Sequence, residues 1–185
     1  MDLIDRLNSE DPHQEVYKGE LKPKEWVYSL RMTETLNAFE PTASENVQLA
    51  VRAQHIERWK IARSGFPSTK VGYLNWRKKM GVFHGEVVAR VLGGLGFSTE
   101  RIEEVRGLLE KKGVKKNEEV QLLEDVACLV FLEHYLDDFC EKYPSEKVIT
   151  IIQKTWVKMS KKGHKSALKL NFSGKSKELI ESALA

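Results

Sequence analysis

Apolar residues recur three and four positions apart along most of the chain, the spacing of helices that bury one face. The pattern is densest in LLEDVACLVFLEHYLDD, Leu122 to Asp138. At 3.6 residues per turn, Asp125 there shares a face with Leu129, Leu132 and Leu136. The same periodicity predicts a short helix from Leu3 to Leu7, then a polar loop through Asp11-Pro12 and Gly19. A helix follows from Pro23 to Phe39, and another from the Thr42/Ser44 caps to about Ile61. RSGFPSTKV, residues 63–71, reads as a loop, and a long helix runs from Val71 to about Leu95. Gly93, Gly94 and Gly96 end it, and Ser98 or Thr99 caps the next, which closes near Lys112-Gly113. The chain then reads as helix from Glu118 to Lys142, helix from Glu146 to Ser160 with a break at Gly163, a turn around Ser166–Leu168, and helix from Ser176 to Leu184. VITII at 148–152 is β-branched but has helical signals on both sides. The expectation is an all-α fold of about seven or eight helices. Residues 1–22 form an N-terminal helix and loop, and residues 23–185 a single globular domain.

Charge adds little to this picture. The net charge of +3 is spread over 30 basic and 27 acidic residues, so a pI near 8.7 is no argument for nucleic acid. Two cysteines, Cys128 and Cys140, are too far apart along one helix to bridge, and reduced thiols fit a cytoplasmic location. Asp2 follows Met1 where a secretory signal has basic residues, and no apolar run is long enough to span a bilayer. No membrane is therefore expected as a partner.

The candidate chemistry is a set of polar residues on apolar faces. His84, in MGVFHGEVVARV, has Met80, Gly81, Val87 and Val88 one turn away. His55, in RAQHIERW, has Val51 and Trp59 one turn away. With Asp125 these are three inward-looking polar residues on three helices, which is how helical bundles build metal sites. Taken one at a time, each is also what a hydrogen-bonded core residue looks like. Imidazole and carboxylate together suit zinc, manganese or iron as a divalent cofactor. Arg58, Arg63, Arg77 and Lys79 lie on either side of the 63–71 loop and suit phosphate oxygens. Trp59, Tyr73 and Trp76 are interleaved with them and offer flat faces for a base. The implied partner is a small phosphorylated ligand or a nucleotide. The basic segment KTWVKMSKKGHK, residues 154–165, reads as a solvated helix end, and the acidic set Glu133, Asp137, Asp138 and Glu141 as a surface face. Nucleic acid is not expected.

AQHIERW, GYLNWRKKMGVFH, LEDVACLVFLEHY and KTWVKMSKKGHKSAL resemble domain-of-unknown-function family 4202, over roughly Tyr28 to Leu168. More remotely, the order of helices is similar to the HD-domain superfamily of metal-dependent phosphohydrolases. In that pattern Tyr28 stands at the first His, His55 at the His of the His-Asp pair, His84 on the following long helix and Asp125 at the final acidic position. Ile56 stands where the paired Asp belongs, and Glu57 comes one residue late, rotated by about 100° on a helix. The resemblance implies an HD-like helical bundle. It also implies a metal-dependent phosphohydrolase with His55, His84 and Asp125 on the ion and Glu57, Glu86 or Glu124 orienting water. The alternative it leaves is a degenerate, non-catalytic module that binds a phosphorylated ligand or a protein partner.

Overall fold

The structure, a computed structural model, describes residues 1–172 and 174–185, and among them helices carry nearly all the regular structure. Ten are α-helices. They are α1 (Asp2–Asn8), α2 (Lys24–Phe39), α3 (Glu45–Arg52), α4 (Lys70–Gly94) and α5 (Thr99–Leu109). Then come α6 (Glu118–His134), α7 (Leu136–Lys142), α8 (Ser145–Lys158), α9 (Lys161–Ala167) and α10 (Gly174–Leu184). The protein is all-α apart from one hairpin, β1 (Gln14–Tyr17) and β2 (Glu20–Pro23), in the stretch expected to be loop. No helix among the described residues is long and apolar enough to cross a membrane. The chain divides into two compact units, Met1–Val120 and Gln121–Ala185.

In the first unit α3 packs on α2 and α5, and α4 on α5. Their apolar faces, with Ile56 from the turn after α3, supply a core of Val27, Met32, Leu36, Val51, Ile56, Val88 and Leu92, each at most 1% exposed. Burying a side chain of this size contributes about 2 kcal/mol. Arg52 crosses from α3 to α1 and grips Asp5 with both ends of its fork, Nε to Oδ1 at 2.5 Å and Nη2 to Oδ2 at 2.7 Å. The hairpin turns on Lys18 and Gly19, both at positive φ (51° and 83°), the left-handed pair that tight antiparallel turns require. It is tied to α2 by the Arg31–Glu15 ion pair at 2.6 Å and by Tyr17 set edge-on to Trp26.

The helix expected over 44–61 stops at Arg52. Glu57 then takes a left-handed conformation at φ 53°, and its N–H donates to Asn8 Oδ1 at 3.3 Å. A long-range hydrogen bond thus holds a backbone state that costs a non-glycine residue about 1–2 kcal/mol. His55 consequently sits on an irregular turn and Trp59 in a short 3₁₀ turn, Arg58–Lys60, rather than on a continuous helix. The long helix α4 starts at the Thr69 cap, whose hydroxyl accepts from Gly72 N–H. Gly72 is required there, because a Cβ would lie 2.1 Å from the Pro67 carbonyl oxygen.

In the second unit the face of α6 with Leu123, Val126, Leu129, Val130 and Leu132 is buried. The helix expected to run on to Lys142 breaks at Tyr135 and resumes as α7. The β-branched run at 148–152 lies inside α8, which buries Val148 and Ile152 and packs against α10. Gly163, expected as a breaker, lies within α9. Cys128 and Cys140 are both buried free thiols.

Candidate functional site

The polar centre of the first unit is assembled from α2, the irregular turn after α3, and α4. Asp11 fixes the start of α2: its Oδ2 accepts from Glu25 N–H at 3.0 Å, and its Oδ1 accepts from His13 N–H at 3.0 Å. That anchoring directs Glu25 and, one turn on, Tyr28 toward the turn carrying His55. The His55 imidazole stacks on the Tyr28 ring, centroids 3.8 Å apart and planes within 10°. Its Nδ1 lies 3.1 Å from Glu25 Oε2, and its Nε2 accepts a hydrogen bond from the Arg58 guanidinium. This arrangement fits one tautomer, with the proton on Nδ1 facing the carboxylate and the lone pair on Nε2 facing the arginine. Arg58 in turn lies 4.8 Å over the face of Trp76, whose indole N–H donates to the Ile61 carbonyl at 3.0 Å.

His84, on α4, is 6.1 Å from His55 between ring centroids, and its Nδ1 donates to the Ile56 carbonyl oxygen at 2.7 Å. Burial, with the Arg58 charge second, holds the His55 pKa well below the ordinary imidazole value. Burial, followed by His55 itself, pushes His84 down to about 3. Burial pushes the Glu25 carboxyl up to about 7, against the opposing pull of Arg58. The centre therefore holds two neutral imidazoles and a carboxyl that titrates near neutrality, around one permanent cation.

Asp125 belongs to a different arrangement, within the second unit. Its Oδ1 accepts from Ser160 N–H at 2.7 Å and from Gln121 Nε2 at 3.2 Å, and its Oδ2 accepts from Ser160 Oγ at 2.5 Å. Ser160 caps α9, its hydroxyl accepting from Gly163 N–H at 3.0 Å. Gly163 packs so closely that a Cβ would lie 2.7 Å from Asp125 Oδ1. Asp125 thus fastens the start of α9 to α6, and the burial cost of its charge is offset by these donors.

These partners occupy donor atoms that a metal ion would use. His55 presents its rings' nitrogens to Glu25 and Arg58, and both Asp125 oxygens are engaged. Among the described residues no group of three or more His, Cys, Asp or Glu side chains is placed to hold a metal ion. Within the first unit, the histidine pair with Arg58 at His55 Nε2 does not fit a divalent ion, and Asp125 is spent on donors of its own unit. The expected water-orienting carboxylates each have surroundings of their own. Glu57 is buried and paired with Lys60 at 2.5 Å, Glu86 is exposed on α4, and Glu124 lies 3.6 Å from Lys158 in the second unit. Ile56, which the HD resemblance would set at an acidic position, is wholly buried in the apolar core.

Of the expected phosphate ligands, Arg58 is at the centre. Arg63 instead donates to the carbonyls of Phe66 and Pro67, both at 2.8 Å, and closes its own loop. Arg77 is half-buried and Lys79 exposed. Of the expected stacking residues, Trp76 is buried with Arg58 on its face, Trp59 is half-buried, and Tyr73 is exposed with its ring 6.1 Å from that of Trp76. Sequence reasoning passed over Glu25 and Ser160. The signal for Glu25 was its position one turn before Tyr28; for Ser160 it was a serine three residues before a glycine at a helix start.

No curated protein and no solved structure matches the chain. The family model described as "Domain of unknown function (DUF4202)" matches residues 1–180, and the chain belongs to that family.

Proposed function

We propose that the protein is an HD-like helical module that binds a small phosphorylated ligand, such as a nucleotide, through Arg58 without metal-dependent chemistry. The observation that carries this reading is the guanidinium bonded to His55 Nε2. A fixed organic cation stands at the imidazole nitrogen that a metal would need. Arg58 has five N–H donors, and its contacts to His55 use only Nη1. A planar fork of this kind, braced by stacking on Trp76, matches the oxygens of a phosphoryl group. The neutral imidazoles beside it add no competing charge.

Titration calorimetry with inorganic phosphate and with nucleoside monophosphates tests this. Binding by the wild type, weakened about tenfold or more in Arg58→Ala and unaltered by chelator, is the expected result. Equal affinity in the two proteins overturns the assignment. The competing reading is the metal-dependent phosphohydrolase. Metal retained through a chelator-free preparation, with turnover of a phosphate ester that His55→Ala abolishes, would install that reading instead.

A further inference from the structure

Residues 147–177 contain nine lysines and no aspartate or glutamate. Within this segment and the end of α10, the second unit carries an apolar groove of about 450 Å³ lined by Gln153, Trp156, Val157, Leu168, Ala183 and Leu184. Val157 is 69% exposed and Leu168 is 64% exposed. Aliphatic side chains this open, side by side in a groove, lose contact with water only if something covers them. Lys154 stands one turn before Val157 on α8, and Lys165 one turn before Leu168 at the end of α9. Lys161 and Lys169 extend the same basic margin, and all four lysines are exposed.

We infer that this groove takes an acidic amphipathic helix of a partner protein. Its apolar side chains would enter against Val157 and Leu168, and its aspartates and glutamates would meet the lysine margin. A helix with apolar anchors at i, i+3 or i+4, and i+7 is the usual occupant of such a groove. Positive charge along the α8 and α9 side of the rim, against the lone Glu181 one turn before Leu184 on the α10 side, selects the sign of the partner and speeds its approach. RNA fits the surface less well. The segment from 147 to 177 has no arginine, and the one aromatic ring lining the groove, Trp156, is stacked against His164 at 4.3 Å and 5°. It therefore lacks the open stacking platform that single strands use.

The test uses the full chain and a synthetic peptide with leucines on one helical face and glutamates on the other. A control peptide carries lysine in place of every glutamate. Fluorescence anisotropy should show binding of the acidic peptide, at least about tenfold tighter than the control and weakening as salt is raised. The double variant Val157→Glu/Leu168→Glu should abolish binding while circular dichroism stays unchanged, since both residues face solvent. Lys154→Glu/Lys165→Glu should weaken binding and flatten its salt dependence. The inference is overturned if both peptides bind alike, or if the apolar double variant binds as the wild type does. It is also overturned if the groove variants instead abolish binding of an RNA oligonucleotide or of anionic vesicles, or self-association measured by light scattering.

Discussion

Glu25 and Asp125 are both carboxylates withdrawn from solvent, 8% and 3% exposed, and their surroundings treat them in opposite ways. Asp125 accepts a backbone N–H and a hydroxyl from Ser160 at the start of α9 and an amide from Gln121 on its own helix, all within its own unit. Glu25 faces an imidazole and a nearby guanidinium, and burial still lifts its pKa to about 7. The first pattern is a fastening, in which every donor is structural. The second is an unfinished one, in which proton and charge are poised around groups that a ligand can reorganise. A buried acid on an apolar helical face is therefore not in itself a sign of chemistry; the identity of its donors decides.

The largest way to break the contrast is Asp125→Ala. It strands the Ser160 N–H and hydroxyl and should cost about 3 kcal/mol, read as a lower urea midpoint. A cost below about 1 kcal/mol would mean that the fastening is not structural. Gly163→Ala drives a methyl onto Asp125 Oδ1 and should cost about 1–3 kcal/mol by the same measurement.

The poised centre should show itself through pH. A carboxyl whose folded pKa lies above its unfolded value binds more protons when folded. Glu25 therefore contributes stability below its ordinary value of 4.5 that is lost as pH rises to about 7. His84 works in the other sense: its folded pKa is depressed, so stability present above 6.5 is lost as pH falls toward about 3. Over pH 4.5–6.5 the two slopes oppose, each at most about 1.4 kcal/mol per pH unit. Glu25→Gln should remove the loss on the alkaline side of that window, and His84→Gln the loss on the acid side. Unfolding curves at pH 4, 5.5 and 7.5 would separate them, and parallel pH profiles for all three proteins would discard the assignment. Smallest of all, Arg58→Ala should change stability by about 1 kcal/mol or less. In that variant the His55 ring should titrate at higher pH by NMR, because a neighbouring positive charge is gone.

Much of the helical order could be read from periodicity and caps. Ser44 and Ser98 accept from Val47 and Arg101 N–H as capping serines should, and Gly96 at φ 80° ends α4. The errors fall where a distant partner overrides local preference. The sequence around His55 has helical spacing, but Asn8 captures the backbone of Glu57 from 49 residues away and turns the chain. The hairpin was hidden because Val16 and Leu21 are each 65% exposed, so no buried alternation marks its strands. Its Lys18-Gly19 turn was the available cue. In the site, His55 and His84 do lie together, yet periodicity could not tell that Asp125 answers to Ser160. Faces follow from spacing; partners follow from the tertiary fold.

The placement of the thiols has a practical consequence. Both cysteines, Cys128 at 4% exposure and Cys140 at 1%, lie in the second unit, and the first unit has none. A thiol reagent can reach them only when that unit opens, so its labelling rate acts as a clock for one half of the chain. Without any engineered probe, the local breathing of the α6–α10 segment can be timed apart from that of the histidine centre.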